Sequence, residues 1–234
     1  MKRKQGIAVI TGGTSGLGLA IARNLLKYNY TVYALGTNED KKKQIELEFK
    51  INGSQVCMLN LMNEEAIRNF CASINEVHII ILCAGILRQD TDLSEEILRM
   101  WQINLLSHQL LINCLLTKIP RDKNSWIWAV TSSSINKPYL NQTQYASTKL
   151  QLQRHINELR EQLAYTHPLA RVTEIIPGGM LTNFHAKAKL SSQVEDNYMS
   201  VAEIAQSACN LLLNLGESVQ IPYVSFARRP NLTG

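Results

Sequence analysis

Tyr145 and Lys149, four residues apart, offer acid–base chemistry. They lie in a stretch, residues 144–164, whose apolar pattern predicts a long helix. Because side chains four residues apart share one face of a helix, the phenol and the ammonium should be neighbours. A nearby positive charge favours the phenolate, so we expect Lys149 to lower the pKa of Tyr145 towards neutrality, where it can act as a general acid or base. Taken alone, such a pair also fits an ordinary exposed helix.

A serine upstream gives this pair a setting. Ser132 follows a predicted strand, residues 125–131, and so stands where a strand ends and a ligand could sit. Its hydroxyl could polarise a substrate carbonyl and stabilise the negative charge that develops there. Thr131 and Ser133 would take this role if the strand were out of register by one residue. Ser134 is interpreted as a structural neighbour.

A glycine-rich turn near the amino end offers a place for phosphate. Residues 7–10 form a short apolar run that predicts a buried strand, and residues 17–26 predict a helix with an apolar face. Gly12, Gly16 and Gly18 lie in and around the turn that joins them. Glycines permit a tight turn and the close approach of a pyrophosphate, while the unpaired amides of a helix start favour an anion. The spacing differs from the common G-x-G-x-x-G pattern, so a turn that binds nothing is the alternative.

The elements that must position these groups alternate between strand and helix. The further predicted strands are residues 31–36, 55–60, 77–85, 171–178 and 219–226. The further predicted helices are residues 38–49, 64–74 and 201–213, together with residues 93–119, which fit one helix or two. This alternation predicts an α/β fold: a Rossmann-like, doubly wound parallel sheet of about seven strands with helices on both faces.

This fold has consequences for the site. Ligands of such sheets bind at the carboxyl ends of the strands, which would bring the glycine turn and Ser132 to one edge. No linker or repeat interrupts the pattern, so a single domain is expected over residues 1–234. Residues 179–200 lack clear periodicity and are expected to form a substrate loop, in which His185 and Tyr198 are candidate substrate contacts.

The composition argues against several classes of protein. The chain has 234 residues, of which 45% are hydrophobic, as expected for a globular protein. Its five cysteines are scattered and its histidines dispersed, so neither a disulfide framework nor a metal site is predicted. The net charge of +5 comes without an aromatic stripe, which argues against a nucleic-acid partner. Since no apolar run could span a membrane or form a signal-peptide core, we expect a cytoplasmic protein with no membrane partner.

Taken together, these motifs resemble those of the classical short-chain dehydrogenase/reductases. The matches, in family order and spacing, are Thr11-Gly12-Gly13-Thr14-Ser15-Gly16-Leu17-Gly18, Ala84-Gly85, Asn104, Ser132, Tyr145-x-x-x-Lys149 and Pro177-Gly178. The resemblance implies that Tyr145 moves the proton, that Lys149 binds the nicotinamide ribose and lowers the phenol pKa, and that Ser132 holds the carbonyl. It also implies that Asn104 orders a water chain to Lys149; a polar residue facing solvent is the alternative.

The resemblance further implies an NAD(P)-dependent oxidoreductase that transfers a hydride between the nicotinamide and a carbonyl or alcohol carbon of a small substrate. The implied cofactor contacts are Gly12, Thr14, Ser15, Gly16, Leu17, Gly18, Thr37, Asn38, Asn60, Leu61, Ala84, Gly85, Tyr145, Lys149, Pro177, Gly178 and Thr182. It implies a homodimer or homotetramer through the helices that contain Asn104 and Tyr145.

The end of the second strand bears on which cofactor binds. An acidic residue there would bond the adenosine ribose and repel a 2′-phosphate. This chain has Gly36-Thr37-Asn38, and the family's usual phosphate-binding arginine is also missing. We therefore favour NADP(H) over NAD(H), with Thr37, Asn38 and Lys41 as candidate phosphate contacts.

Two departures from the family pattern keep other functions open. Leu82-Cys83 stands where the family often has Asn-Asn, and Asn60-Leu61 replaces the usual Asp-Leu or Asp-Val. The local contacts near the cofactor must therefore differ, and Cys83 is interpreted as a packing residue. The alternatives are a catalytically silent dinucleotide-binding regulatory or scaffold protein, and a relative that performs dehydration or epimerisation.

Overall fold

A computed structural model describes residues 5–137, 139–180, 182, 184 and 198–228. Within these residues, seven strands form one parallel sheet in the order β3-β2-β1-β4-β5-β6-β7. They are β1 (Ile7–Thr11), β2 (Thr31–Gly36), β3 (Gln55–Met58), β4 (Ile79–Leu82), β5 (Ser125–Val130), β6 (Ala170–Pro177) and β7 (Tyr223–Phe226). The chain winds outwards from β1 in one direction and then, from β4, in the other. The predicted doubly wound sheet is therefore confirmed.

Helices cover both faces of the sheet. They are α1 (Gly16–Lys27), α2 (Glu39–Ile51), α3 (Glu64–Ser73), α4 (Ser94–Trp101), α5 (Ser107–Leu115), α6 (Thr143–Thr166) and α7 (Val201–Leu213). Side chains of β1 alternate between the two faces: Val9 packs into a core with α3, α5 and α6, whereas Ala8 and Ile10 pack into a core with α1, α2 and α7. Strands buried on both faces explain the continuous apolar runs of the sequence. Among the described residues, no helix combines the length and apolar character needed to cross a membrane.

The predicted helix over residues 93–119 is interrupted. A π-turn, Gln102–Leu106, separates α4 from α5, and the amide of Ser107 donates to the carbonyl of Gln102 five residues back. Such turns add one residue to a helix and often occur at functional sites. The interruption lies at the predicted site residue Asn104.

Two predicted strands are longer than the observed ones. Residues 77–85 contain only the four residues of β4, because the backbone turns after Leu82 and the amides of Cys83 and Ala84 donate to the hydroxyl of Thr11. Residues 219–226 contain only the four residues of β7. Here the carbonyl of Val219 accepts from the Arg171 guanidinium instead of joining the sheet.

Candidate active site

The glycine turn lies at the switch point of the sheet, between β1 and β4. Gly12 has a φ of 67°, and a Cβ atom there would lie 3.0 Å from the Cα and N atoms of Ala84. A Cβ atom at Gly18 would lie only 2.4 Å from the carbonyl oxygen of Gly12. Both positions therefore require glycine, and the turn packs against the loop after β4, at the edge where such sheets bind ligands.

The start of α1 carries no side-chain cap. Ser15 occupies the capping position in extended conformation but makes no capping hydrogen bond, and the first turn holds no acidic residue. The amide of Gly18 donates to the sulfur of Cys83. Gly16 has a φ of 52°, and the nearest atom to a Cβ there would be Cγ2 of Thr182, at 3.6 Å. Thr182 therefore lies close to the start of α1, and the positive end of this helix suits a phosphate.

Tyr145 and Ser132 come together in the structure. Their side chains share a hydrogen bond, although Ser132 lies in the loop after β5 and Tyr145 lies in α6. The Ser132 oxygen accepts hydrogen bonds from the amide of Ser134 at 3.1 Å and from its hydroxyl at 2.9 Å. Because these contacts use the oxygen as an acceptor, the proton of Ser132 remains available to Tyr145 or to a carbonyl. Thr131 is excluded as the alternative, since its hydroxyl donates to the buried Glu174 carboxylate.

Burial controls the pKa of Tyr145. The side chain is 6% exposed, and loss of hydration raises its pKa to about 12, while the hydrogen bond with Ser132 acts in the opposite direction. The expectation that Lys149 brings this pKa towards neutrality is therefore wrong for this arrangement. The Lys149 ammonium donates to the carbonyl of Val130 at 3.0 Å, and burial lowers its own pKa to about 8. Desolvation of the phenolate is the largest influence on the pKa of Tyr145, and Lys149 is not among the groups that shift it.

Asn104 is fully buried and holds three partners. Its amide accepts from the Ile86 amide at 2.8 Å and donates to the Ile86 carbonyl at 2.9 Å and the Thr148 hydroxyl at 3.1 Å. Thr148 in turn donates to the carbonyl of Tyr145. This arrangement excludes the alternative that Asn104 faces solvent.

Gly85 lies beside both Asn104 and Lys149. A Cβ atom at Gly85 would lie 3.4 Å from Asn104 Oδ1 and 3.4 Å from Lys149 Nζ. The absence of that atom leaves a space next to the ammonium, on the same sheet edge as the glycine turn. Lys149 is thus placed where it could bind a ribose hydroxyl.

Thr11 holds the backbone that follows β4. Its hydroxyl accepts from the amides of Cys83 at 3.0 Å and Ala84 at 3.1 Å, and lies 3.0 Å from Nε2 of the buried His108. His108 was not predicted as a site residue, because it lies four residues after Asn104 on a helix rich in apolar residues. Burial raises the pKa of the Cys83 thiol to about 12, in keeping with a packing role.

The candidate adenosine contacts after β2 lie at the same edge. Thr37 and Asn38 are exposed, and the Asn38 side chain accepts from the Lys41 amide at 2.9 Å as the cap of α2. Thr14 is buried, and its hydroxyl would lie 2.2 Å from a Cβ atom at Gly36. Thr14 therefore packs over the end of β2.

The candidate adenosine contacts after β3 are also placed there. Asn60 is exposed, but its side-chain oxygen accepts from the Met62 amide at 3.0 Å, which leaves the amide nitrogen for a ligand. Leu61 is buried in the core. The Asn60 oxygen that could face an adenine amine is thus already engaged in a local turn.

The end of β6 lies at the same edge of the sheet. Pro177 ends the strand, and the amide of Gly178 donates to the Phe226 carbonyl at 2.9 Å. Farther along, the Thr182 hydroxyl accepts from the amide of Phe184 at 3.2 Å. The Phe184 ring lies 6.0 Å from the Tyr145 ring, so Phe184 packs beside the phenol.

The two candidate substrate contacts have different outcomes. Tyr198 is partly buried beside the bridge that pairs Met180 with Met199. His185 lies outside the described residues. The predicted loop over residues 179–200 is therefore described only at its two ends.

The carboxyl edge of the sheet carries groups that suit a nicotinamide dinucleotide. An uncapped, acid-free helix start and obligatory glycines lie at its middle, exposed polar side chains at the β2 end, and an ammonium, a phenol and a hydroxyl at the β5 end. These groups match a pyrophosphate, an adenosine ribose and a nicotinamide ribose in turn. The arrangement could bind the cofactor along the carboxyl edge of the sheet and present a carbonyl to the phenol.

Comparison with known proteins supports this architecture. A family model described as short chain dehydrogenase matches residues 6–193. The 3-oxoacyl-(acyl-carrier-protein) reductase FabG of Rickettsia bellii is 33% identical over 129 residues, 53% of each chain, so that match spans about half of the relative. The L-rhamnose 1-dehydrogenase (NADP(+)) of Thermoplasma acidophilum is 29% identical over 210 residues, 82% of this chain and 79% of the relative.

A solved structure has the same fold. The alcohol dehydrogenase from the archaeon Thermococcus sibiricus, complexed with 5-hydroxy-NADP, covers 94% of this chain and 95% of its own with a TM-score of 0.80. The two sequences are 23% identical. The likeness therefore concerns the arrangement of strands and helices.

Proposed function

The chain belongs to the short-chain dehydrogenase family, and on that premise we propose that it is an NADP(H)-preferring oxidoreductase acting on a carbonyl or alcohol carbon of a small organic substrate. Family membership makes it an oxidoreductase that uses a nicotinamide cofactor. The preference for NADP(H), the class of substrate and the role of each site residue belong to the proposal.

The observation that carries the proposal is the hydrogen bond between Tyr145 and Ser132, with Lys149 one helical turn away from Tyr145 and next to Gly85. These residues come from two different elements and lie next to the phosphate-binding turn. A phenol hydrogen-bonded to a serine is the arrangement needed to hold a carbonyl oxygen and move a proton to it.

Each residue has a separate task. Ser132 donates its free proton to the substrate oxygen, and Tyr145 passes a proton to the same oxygen in reduction or removes it in oxidation. Lys149 binds the ribose, and Asn104 fixes the loop against which the cofactor lies. The bound nicotinamide would supply or accept the hydride. Because burial raises the pKa of Tyr145, the phenol is protonated at neutral pH, which suits the reductive direction.

Preference for NADP(H) is supported by charge at the end of β2. Thr37 and Asn38 offer a hydroxyl and an amide, and neither repels a 2′-phosphate. The Thermoplasma relative, whose name specifies NADP(+), agrees with this choice.

A homodimer or homotetramer through α4, α5 and α6 is part of the proposal. Leu98 of α4 and Leu106 of the π-turn are 68% and 47% exposed, although they are apolar. Burying them against a second copy would remove that surface from water. The proposal includes no nucleic-acid or membrane partner, and a single domain over residues 1–234.

The test begins with binding and proceeds to turnover. Fluorescence titration with NADPH and NADH establishes the cofactor, and a panel of carbonyls and alcohols is then followed at the nicotinamide absorbance. Tyr145→Phe should lose most turnover while cofactor binding persists. Tyr165→Phe, on the same helix but 88% exposed, is the matched control.

Two outcomes would contradict the proposal. Unchanged turnover in Tyr145→Phe would remove Tyr145 as the proton donor. Product formation without a net change in nicotinamide absorbance would instead favour dehydration or epimerisation.

A further inference from the structure

His108 is a buried histidine that the proposed reaction does not use. It lies in α5 with no exposed surface. Its Nε2 atom is 3.0 Å from the Thr11 hydroxyl oxygen, and its Nδ1 atom is 3.3 Å from the backbone carbonyl oxygen of Asn104. The imidazole therefore bridges the end of β1 and the π-turn.

The partners of His108 determine its tautomer. The Asn104 carbonyl can only accept a hydrogen bond, so the ring must carry its proton on Nδ1. In a neutral ring Nε2 then accepts, and the Thr11 hydroxyl must donate to it. The other acceptor near that hydroxyl, the Ile81 carbonyl, is farther away at 3.4 Å.

The π-turn explains why the Asn104 carbonyl needs a side-chain partner. Such a turn disturbs the regular backbone pairing of a helix. The Ser107 hydroxyl donates to the carbonyl of Ile103 at 2.9 Å, and the His108 ring likewise donates to the carbonyl of Asn104, the next residue. Two consecutive polar side chains thus stabilise the widened turn that carries Asn104.

Thr11 and Asn104 hold the same short segment from two sides. Thr11 binds the amides of Cys83 and Ala84, whereas Asn104 binds both backbone groups of Ile86. Gly85, next to the Lys149 ammonium, lies between them. The His108 side chain connects the residues that make these two sets of hydrogen bonds, Thr11 and Asn104.

We propose that His108 is a positioning residue, whose Nδ1-protonated imidazole keeps Asn104 and Thr11 at a fixed separation and so sets the cofactor-facing wall at Ala84 and Gly85. The inference rests on the proposed function, since it assigns that wall to the cofactor. Burial and the nearby Lys149 charge lower the pKa of His108 to about 3, so the ring stays neutral at physiological pH. A neutral ring is required, because a second ring proton would leave the Thr11 hydroxyl only the more distant Ile81 carbonyl as acceptor.

The tautomer is tested directly by NMR on protein labelled with ¹⁵N-histidine. Signals of His108 are assigned by their loss in His108→Phe. We expect a protonated Nδ1 and an unprotonated Nε2 that do not change between roughly pH 5.5 and 8, although free histidine titrates near pH 6.5 and so within that range. A protonated Nε2, or titration in this range, would overturn the inference.

The positioning role is tested by NADPH affinity, measured by fluorescence titration. His108→Phe and Thr11→Val should each raise the dissociation constant about tenfold. The double variant should bind NADPH no more weakly than the single variant with the lower affinity, as expected for coupled contacts. His108→Asn, which keeps an N–H near the Nδ1 position, should recover part of the loss. Leu111→Val, a buried change on the same helix, is the control for loosened packing.

The outcomes separate this inference from the proposed function. Independent effects of Thr11→Val and His108→Phe, or equal losses in Leu111→Val, would overturn it whether or not a substrate is found. Absence of turnover in the wild type would overturn only the proposed function, because the tautomer and NADPH affinity remain measurable. If His108→Phe does not fold, the other variants provide the test and the histidine signals are assigned with His108→Asn.

Discussion

The starts of α1 and α2 face the same edge of the sheet but differ in chemistry. Asn38 caps α2 through its side chain, and Glu39 and Asp40 occupy the first turn. Ser15 stands at the same position of α1 without a capping bond, and no acidic residue follows. The start of α3 repeats the pattern of α2, with Asn63 as its cap and two glutamates in its first turn.

This difference indicates which helix start is available to bind a ligand. A capping side chain satisfies an amide of the first turn, and carboxylates counter the positive end of the helix dipole. At α2 and α3 the protein supplies both from its own side chains. At α1 no capping side chain and no carboxylate is present, and the Gly18 amide has only the Cys83 sulfur, a weak acceptor, so an external anion gains most there. Substitutions at these two helix starts test this difference.

The largest effect is expected from Gly18→Ala. The added carbon would meet the Gly12 carbonyl at 2.4 Å, and relieving that overlap must move the turn. A shift that costs roughly 1–3 kcal/mol in the bound state corresponds to a loss of about 5- to 150-fold in NADPH affinity. Fluorescence titration measures it. Lys41 occupies the matching position of α2, and Lys41→Ala should leave NADH affinity unchanged. A loss of NADH affinity as large as the loss in Gly18→Ala would contradict the difference between the two helix starts.

Ser15→Asp would give α1 the acidic cap of the other helices. We expect stability to rise by about 0.5–1 kcal/mol and NADPH affinity to fall about tenfold, because the carboxylate satisfies the helix start and repels a pyrophosphate. Urea unfolding and cofactor titration give the two values. Ser15→Asn, which caps without charge, separates the two causes. Effects of the same sign on stability and affinity would rule out competition for the helix start.

Thr37→Asp extends the acidic character of α2 towards the proposed 2′-phosphate. Repulsion of the phosphate should lower the ratio of NADPH to NADH affinity by about tenfold, or roughly 1.4 kcal/mol. Titration with both cofactors measures that ratio. Equal losses for both would show that the phosphate binds elsewhere.

The smallest effect is expected from removing the capping side chains. Asn38→Ala should destabilise the protein by about 1 kcal/mol, because the Lys41 amide loses its partner. Ser15→Ala should change stability by less than about 0.5 kcal/mol, since no capping bond is lost. Urea unfolding of both variants decides the point, and equal losses would mean that Ser15 caps α1 after all.

The fold was predictable from sequence because its signals are local and repeated. Apolar runs such as residues 79–82 are buried on both faces, and their alternation with helices leaves few alternatives to a doubly wound sheet. The structure also places Ser132, Tyr145, Lys149 and Asn104 together, while their chemical roles stay predictions.

The parts that could not be predicted depend on contacts between distant residues. The pKa of Tyr145 is governed by burial, which spacing along a helix does not reveal. The bond from Thr11 to His108 joins positions 97 residues apart. The interruption at residues 102–106 could not be located from the apolar pattern of residues 93–119, which fits one helix or two, because a π-turn shifts the helix by only one residue.

Lys149 links proton binding to the folding equilibrium. Its pKa falls from the ordinary lysine value of 10.5 to about 8 in the folded protein, so between these values the unfolded chain holds a proton that the native protein has released. Since stability rises with pH wherever the unfolded state binds more protons, this residue opposes folding most at neutral pH and least in alkali. The protein therefore keeps an ammonium in its interior against its own conformational preference, and an anionic ligand beside it would relieve that opposition.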